Sequence, residues 1–568
     1  MVDFEFRVSE GGLPEPVCMV AKELRSGRLT RIWEDSLLHL RQAPFATGSD
    51  STMVAYYASA ELGCFQALGW HLPTNVLDLY AEFRNQTNGL YLPHGNSLLG
   101  CLAWYGLDSI SAAEKEGYRE LILRGNYTPE ERNQILRYCE TDVSSLEKLI
   151  GVMDDTLPVQ ALLRGRYMKA AAIMEKNGIP IDVLSYRRIT DHWAEIQHGL
   201  IAEVDRNYGV FEGTTFKFDR FAAYLKRHNI PWPVLESGTL ALDDDTFREQ
   251  AKTHPELEPL RQLRHALSQM RLSKLAIGPD GRNRCLLSAF AARTGRNQPS
   301  NSKFIFGPAV WLRNLIKPVE GNAIAYVDWE QQEFGIAAAL SQDLAMMRAY
   351  QTGDPYMEFA RMAKAVPSDA TKESHPRERE LFKATSLAVQ YLMGAESLAA
   401  RLGIPASEAR GLLKLHREVF RKFWSWSDAV LNYAMLNNRI FTVFGWQCRV
   451  TDRTKERSLR NFPMQSNGAE MLRLACSLAT EQGIRVCAPV HDALLVEAGV
   501  DEIEEVVSTT NNIMQRASEI VLSGFPLRSE AKIVRFPDRY RDERGNYMWN
   551  TITGLLKGRD ELQDPGQV

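Results

Sequence analysis

A chain of 568 residues is too long for one domain and suits two or more. Hydrophobic content of 45% and charged content of 24% are ordinary for a soluble globular protein. A net charge of −4 excludes a global basic field for nucleic acid, so any DNA contact must come from local patches and weaken with salt.

There is no signal peptide and no apolar run long enough to span a membrane. The eight cysteines are scattered without a CxxC pair, which favours reduced thiols in a cytoplasmic setting and gives no zinc signal. The first residues, MVDFEFRV, form a strand pattern, and Asp3 and Glu5, two apart, project from one face. Residues 137–146, RYCETDVSSL, read as a helix with Tyr138 and Asp142 on one face. At 153–159, MDDTLPV, two acids and then a proline interrupt any helix and mark a boundary. A helix then runs to about Glu175 and closes on a left-handed cap at Asn177-Gly178. Residues 183–284 carry mainly amphipathic helices. Among them RQLRHALSQMRLSK holds Arg261, Arg264, His265, Arg271 and Lys274. For any one of these residues an ordinary solvated face is as good a reading. Residues 293–307, RTGRNQPSNSKFIFG, are polar and turn-rich.

The apolar run 323–327 predicts a buried strand, and it ends on Asp328, with Glu330 and Glu333 close behind. Residues 334–340 are mostly small and read as a packed helix. A carboxylate where a core strand breaks open is costly without a partner, and a divalent cation is a common one. In residues 377–394, RERELFKATSLAVQYLMG, Arg379, Lys383, Leu387 and Tyr391 recur every fourth position and share one helix stripe. Two cations beside an apolar and an aromatic residue suit a triphosphate and its base. The plainer reading is a solvated basic turn running into a buried helix. Residues 486–497, VCAPVHDALLVE, have the pattern of a hairpin with His491-Asp492 at its tip. If the two strands are neighbours, Asp328 and Asp492 face one cleft. They can then bridge two Mg2+ ions about 3.5–4 Å apart, as in-line phosphoryl transfer requires. Taken singly, each is more simply a turn aspartate.

In this order and spacing, AYVDWEQQEF, RERELFKATSLAVQYLMG and VHDALLVE resemble motifs A, B and C of the bacterial DNA polymerase I family, family A. Arg457, Asn461 and Gln465, in RSLRNFPMQSNGAE, resemble the family's Arg-xxx-Asn-xxx-Gln pattern that grips primer and template. One such motif is weak; four in order are strong. The resemblance covers roughly residues 160 to 550. It implies a right-hand polymerase acting on primer–template DNA and dNTPs. Asp328 and Asp492 would hold two Mg2+ ions, for which Mn2+ could substitute, with the Trp329 carbonyl as a further ligand. Arg379 and Lys383 would meet the triphosphate, and Lys383 would also protonate the leaving pyrophosphate. Leu387 and Gln331 would line the dNTP site, and Tyr391 would stack near the templating position. Glu333 would crowd the 2′ carbon and exclude ribonucleotides. His491 would touch the primer end. Arg293, Arg296 and Lys303 would contact phosphates, and the basic stretch at 261–274 would be the thumb's grip on the duplex. Asp354-Pro355-Tyr356 would start the fingers. A mobile loop at 360–376 would precede the basic helix, which rotates to close over a nucleotide.

Asp3-x-Glu5 and Tyr138-xxx-Asp142 resemble the tyrosine subclass of DEDD 3′–5′ exonucleases, whose RNase H-like domain commonly precedes such a polymerase. The resemblance implies two further metal ions held by Asp3, Glu5, Asp142 and a middle acid, with Tyr138 orienting the attacking water. The best counterpart of the middle acid is Glu61, in YYASAELGCF, a Glu for the usual Asp and without the usual Asn before it. Asp78 matches a later, non-ligand position. The extra methylene can move a ligand by about an ångström, so a domain kept for packing alone stands beside proofreading as an alternative.

The expected architecture is mixed α/β. Residues 1–155 form the exonuclease-like domain, and 156–284 the thumb and start of the polymerase region. Residues 285–345 are the first part of the palm, 346–438 the fingers, and 439–568 the second part of the palm and a tail, frayed after Gly558. Several positions depart from the family pattern: Leu387 for Phe or Tyr, Leu392 for Gly, Ala493 for Glu and Gly335 for Arg. They suggest a divergent, phage-like branch. A monomer is expected in the cytoplasm, with no 5′-nuclease domain ahead of Asp3 and no thumb insertion for a processivity factor. One rival is a single-subunit RNA polymerase, which Glu333 and the exonuclease-like start oppose. Another is a silent DNA-binding scaffold, which the carboxylates oppose. A nuclease alone would leave the helix at 379–391 without a purpose.

Overall fold

The structure, a computed structural model, describes residues 1–563 except 236, 269–273 and 308. The side chains of 252, 265, 268 and 557–563 are also outside the described set. Among the described residues no helix is long and apolar enough to cross a membrane.

The amino-terminal strand β1 (Val2–Arg7) pairs antiparallel with β2 (Glu15–Lys22), which pairs with β3 (Leu29–Trp33). Along β1 the period of two buries Val2 and Phe4 on one face and leaves Asp3 and Glu5 on the other. The pairing shifts register just after Glu5, opposite Pro16, which has no N–H to give a ladder. A second, parallel pair, β4 (Thr52–Ala55) and β5 (Asn75–Asp78), stands beside it, with no ladder joining the two sheets. Helix α1 (Ala58–Ala67) brings Phe65 against Phe4, centroids 5.9 Å apart. Helix α2 (Leu79–Thr87) follows β5, and Asp78 caps it by accepting the Ala81 N–H. Helices α3 (Ala112–Arg124) and α4 (Pro129–Met153) both open on a Ser or Thr capping box, and α4 has Pro at its first turn.

The break expected at 153–159 is a short 3-10 turn, Asp154–Thr156. It interrupts the helix and not the core. Helix α5 (Ala161–Asn177) runs back through the molecule, so close to β5 that a Cβ on Gly165 would lie 1.8 Å from the Val76 carbonyl oxygen. A continuous apolar cluster extends from Phe4, Phe65 and Trp70 through Tyr167 of α5 to Phe290, Trp446 and Met471. Arg164 and Glu82 meet inside it as a bidentate pair, 2.6 and 2.7 Å, with both side chains almost wholly buried.

Helices among which are Phe218–Arg227 and Glu258–Ser268 build a second core around Phe221, Phe247 and Leu263. The basic stretch here is spent differently from the expectation. Arg264 lies over the rings of Phe216 and Phe247, 4.3 Å from each, and donates to the Leu242 carbonyl; Arg261 pairs with Glu258. Apolar rings and a near acid outcompete solvent for both guanidinium groups. Lys274 is exposed, while Arg271 and the His265 side chain lie outside the described residues.

The central sheet is antiparallel: β6 (Asn322–Trp329), β7 (Arg485–Val490), β8 (Ala493–Gly499) and β9 (Ser529–Arg535), in the order β7-β8-β6-β9. Strand β6 is central, and Ala323, Ile324, Ala325 and Val327 are fully buried. Helix α6 (Gln332–Ser341) follows it. Its Gly335 presses on Leu527, where a Cβ would come within 2.4 Å of a side-chain methyl, so a larger residue would require Leu527 to shift. Helix α7 (Pro355–Met362) packs on α8 (Pro376–Gln390), Phe359 against Phe382 at 4.7 Å. Helix α9 (Glu456–Glu481) crosses behind α6, with Pro463 inside it.

Candidate active sites

Two carboxylate clusters stand apart in the fold. The first forms where β6 ends. Asp328 is paired with Ala493 on one side and Glu530 on the other, and the turn between β7 and β8 is His491-Asp492. The Trp329 N–H donates to the Asp492 carbonyl at 3.4 Å. The register of the sheet therefore sets Asp328 beside Asp492. Burial, then Asp492 and Glu530, push the Asp328 carboxyl up to about 7, and burial raises Asp492 as well. One Asp328 oxygen, Oδ1, is buried without a hydrogen-bond partner. His491 takes a left-handed backbone, φ 56°, and Gln331 does the same, φ 44°. Such strain gathers at sites that the surrounding fold over-determines.

Glu333, on α6, faces this cluster. Arg296 lies 3.7 Å from its carboxylate, and the Tyr391 hydroxyl donates to it at 3.4 Å. Burial raises Glu333, and Arg296 opposes the rise. Tyr391 caps the end of α8, so its contact places that end over the carboxylates. Further up, Arg379, Lys383 and Leu387 are among the half-exposed positions of a helix buried at Phe382, Ala384, Thr385, Ser386, Ala388 and Val389. Arg379 donates to Asp354 and lies over the Tyr356 ring; Lys383 is 3.8 Å from Glu380. Leu392 follows with φ 47°, a conformation that glycine would hold without strain.

On α9, Arg457 is exposed and Asn461 and Gln465 half-buried, four apart on one stripe; Asn461 Oδ1 has no partner. Arg293 is exposed, and its carbonyl ties the two parts of the molecule by accepting from Asn88 and Trp446. The cluster at Asp328 thus gathers Asp492, Glu333, Tyr391, His491 and Arg296, while Arg293 and Arg457 stand on the surface without a bond to it.

The second cluster uses the polar face of β1. Donor atoms of Asp3, Glu5 and Cys139 all lie within 4.8 Å of one another. Tyr138 and Asp142 face β1 from α4, and Asp142 is held at 3.1 Å by Lys115 from α3. Tyr138 stacks on Tyr118, centroids 4.6 Å apart. Burial and then Asp142 push Asp3 up to about 8. Burial and the neighbouring Asp3 raise Glu5 and Glu61 too. Glu61 comes from α1, is 95% buried and keeps one oxygen, Oε2, without a partner. Asp78 instead accepts the Tyr57, Ala58 and Ala81 N–H groups and is a structural cap. The cluster opens on a cleft of about 1090 Å³ whose far wall carries Lys176, Arg284 and Lys303.

Sequence reasoning missed Lys115, Cys139 and Glu530, and the pairing of Asp354 with Arg379. Glu530 is found only through the β6–β9 register, and Asp354 reads as a helix cap. Lys115 lies in an unremarkable amphipathic helix. Cys139 sat one residue from Tyr138, hidden because lone cysteines carry no spacing signal.

The sequence model of DNA polymerase family A matches residues 262–535. DNA polymerase I of Aquifex aeolicus (strain VF5) is 24% identical over 521 residues, covering 87% of this chain and 84% of that protein. The thermostable DNA polymerase I of Thermus aquaticus is 26% identical over 371 residues, 61% of this chain and 44% of that protein. Among solved structures, the polymerase domain of Pol1 from M. smegmatis, in complex with DNA primer-template and dNTP, superposes with a TM-score of 0.71. Its identity is 19%, over 94% of this chain and 95% of that one. At that identity the likeness is one of fold.

Proposed function

We propose a template-directed DNA polymerase that also shortens primers from the 3′ end, a reading supported by the match of residues 262–535 to the sequence model of DNA polymerase family A. The observation that carries the polymerase reading is the meeting of Asp328 and Asp492 beneath the Tyr391 end of α8. Two desolvated carboxylates of like charge, one with an orphaned oxygen, fit divalent cations. Such ions, Mg2+ in this reading, supply charge stabilisation for the attacking and leaving oxygens of phosphoryl transfer when bound.

The chain's own residues do the rest. Asp328 and Asp492 hold the charge fixed at the end of a rigid sheet, and Trp329 offers its carbonyl there. Arg379 and Lys383 receive the triphosphate, Arg379 exchanging Asp354 for phosphate oxygens. Lys383 gives a proton to the departing pyrophosphate. Glu333, held between Arg296 and Tyr391, closes the space beside the sugar's 2′ carbon. Leu387 and Gln331 line the same pocket, and Arg293, Arg457, Asn461, Gln465 and His491 grip primer and template. Asp3, Glu5, Glu61 and Asp142 serve the shortening reaction, with Tyr138 directing the attacking water.

Primer extension on a primer–template with Mg2+, first with all four dNTPs and then with none, tests both activities. Extension in the first arm and shortening in the second are expected. A chain that binds the duplex and changes it in neither arm would refute the proposal.

A further inference from the structure

The amino-terminal region reaches the Asp328 centre through side chains that no step above uses. Helix α2 ends on Asn88, which is 1% exposed. Its amide nitrogen donates to the Arg293 carbonyl at 2.7 Å and to the Gln447 carbonyl at 2.6 Å. One turn earlier, Arg84 donates to the Ala291 carbonyl at 2.6 Å and to the Phe290 carbonyl at 3.4 Å. From the other side the Trp446 ring N–H donates to the Arg293 carbonyl at 3.0 Å, and Arg473 of α9 donates to the Gly295 carbonyl. Side chains thus hold the carbonyls of 290, 291, 293 and 295, and Arg84 and Asn88 supply their share from the amino-terminal region. Ser288 and Phe290 take left-handed backbones, φ 50° and 58°, which persist where the surroundings over-determine them. The Gly295 N–H closes a turn on the Ala292 carbonyl at 2.9 Å, and the next residue, Arg296, stands 3.7 Å from Glu333. A short turn of backbone therefore links the end of α2 to the cation that braces Glu333.

Resting on the proposal that Glu333 closes the space beside the 2′ carbon, we infer that Asn88 and Arg84 are positioning residues for sugar selection. They hold the turn at 290–296 so that Arg296 fixes the Glu333 carboxylate. Removing the Asn88 amide leaves the buried Arg293 and Gln447 carbonyls short of a donor, and the turn relaxes to find water. Arg296 then moves with the turn. A carboxylate without its brace gains rotamer freedom and swings aside for a 2′ hydroxyl, whereas a braced one holds its place and rejects it. The amino-terminal region in this way acts on which nucleotide is accepted, besides any reaction of its own carboxylates.

The test is single-nucleotide incorporation by the full chain, with kcat/KM measured for a dNTP and for the matching rNTP. Asn88→Ala and Arg84→Met should each lower the dNTP-over-rNTP ratio by about 2- to 30-fold. A mere loss of stability reduces the active fraction, which cancels in that ratio. Glu333→Ala controls the reading beneath the inference and should lower the ratio further than either variant. In the Glu333→Ala background Asn88→Ala should change the ratio no more, because both act through one carboxylate. If Glu333→Ala alters sugar choice while the Asn88 and Arg84 variants keep the wild-type ratio, the inference is overturned and the role of Glu333 stands. A further drop in the double variant refutes the route through Glu333. An unchanged ratio in Glu333→Ala removes that role and the inference with it. If Asn88→Ala does not fold, Arg84→Met, at a half-buried position, carries the same expectation and the same refutation.

Discussion

The two acidic clusters solve the same electrostatic problem by different means. At β6 the carboxylates come from strand ends and a hairpin tip, so the backbone ladder alone sets their spacing. Their like charge is left standing, with an orphaned oxygen and Arg296 only at the rim. At β1 one strand supplies two acids and two helices supply the others. There Lys115 pairs with Asp142, and the Cys139 thiol donates to Asp3. The first arrangement is stiff and leaves its charge uncompensated; the second is partly satisfied by protein groups. A register cannot drift without rebuilding a sheet, whereas helices can trade partners, which makes the helix-borne acids the easier ones to vary.

The comparison breaks most visibly under neutralisation. Asp492→Asn should lower primer extension at least about 10³-fold while leaving shortening within a few-fold, and Asp3→Asn should do the converse; gel-resolved primer assays read both. Equal losses in both assays from one substitution would mean that the clusters are not separate centres. A larger structural effect is expected where the regions join. Glu82→Gln leaves Arg164 buried and half-paired, and should cost about 3–5 kcal/mol, seen as a lower denaturant midpoint for a single shared transition. Two separate transitions would contradict the common core.

Lys115→Met tests the built-in cation of the second cluster. It strands Asp142 and should cost the metal-free protein about 1–3 kcal/mol, part of which divalent cation restores in thermal melts. Among the described residues no lysine or arginine pairs with Asp328 itself, and Arg296 stands at the rim on Glu333. The pH dependence follows from carboxyls held high. Asp328 and Asp3 are raised to about 7 and about 8, against an ordinary value near ~4. The folded chain keeps protons that the unfolded chain has lost, so this contribution to stability is complete below pH ~4 and drains away as pH rises. The drain should finish near pH ~7 for Asp328 and one unit later for Asp3. Melting temperatures in chelator should therefore fall from pH ~5 to ~8.5, and divalent cation should restore more at the alkaline end. Asp328→Asn should flatten the earlier part of the slope. The smallest expected change is at the end of α8. Leu392→Gly relieves a left-handed backbone and should raise stability by less than about 1 kcal/mol, measured by chemical denaturation.

Much of the first site was legible before any coordinates. An apolar run ending on Asp328, a hairpin pattern around Asp492 and a four-residue stripe from Arg379 to Tyr391 are local signals, because strand and helix periods are local properties. The amino-terminal strand declared Asp3 and Glu5 in the same way. What could not be read was partnership across the fold. Arg264 looked like a cation for DNA and stacks between two phenylalanines; Glu530 became Asp328's neighbour through the last strand's register. The boundary near residue 155 broke a helix, yet Arg164 and Glu82 join the two sides in one core. Sequence alone determined which faces each element would present, since chain stereochemistry fixes them residue by residue. Only the tertiary structure decided which faces met, because burial and charge pairing depend on distances that close when segments hundreds of residues apart pack together.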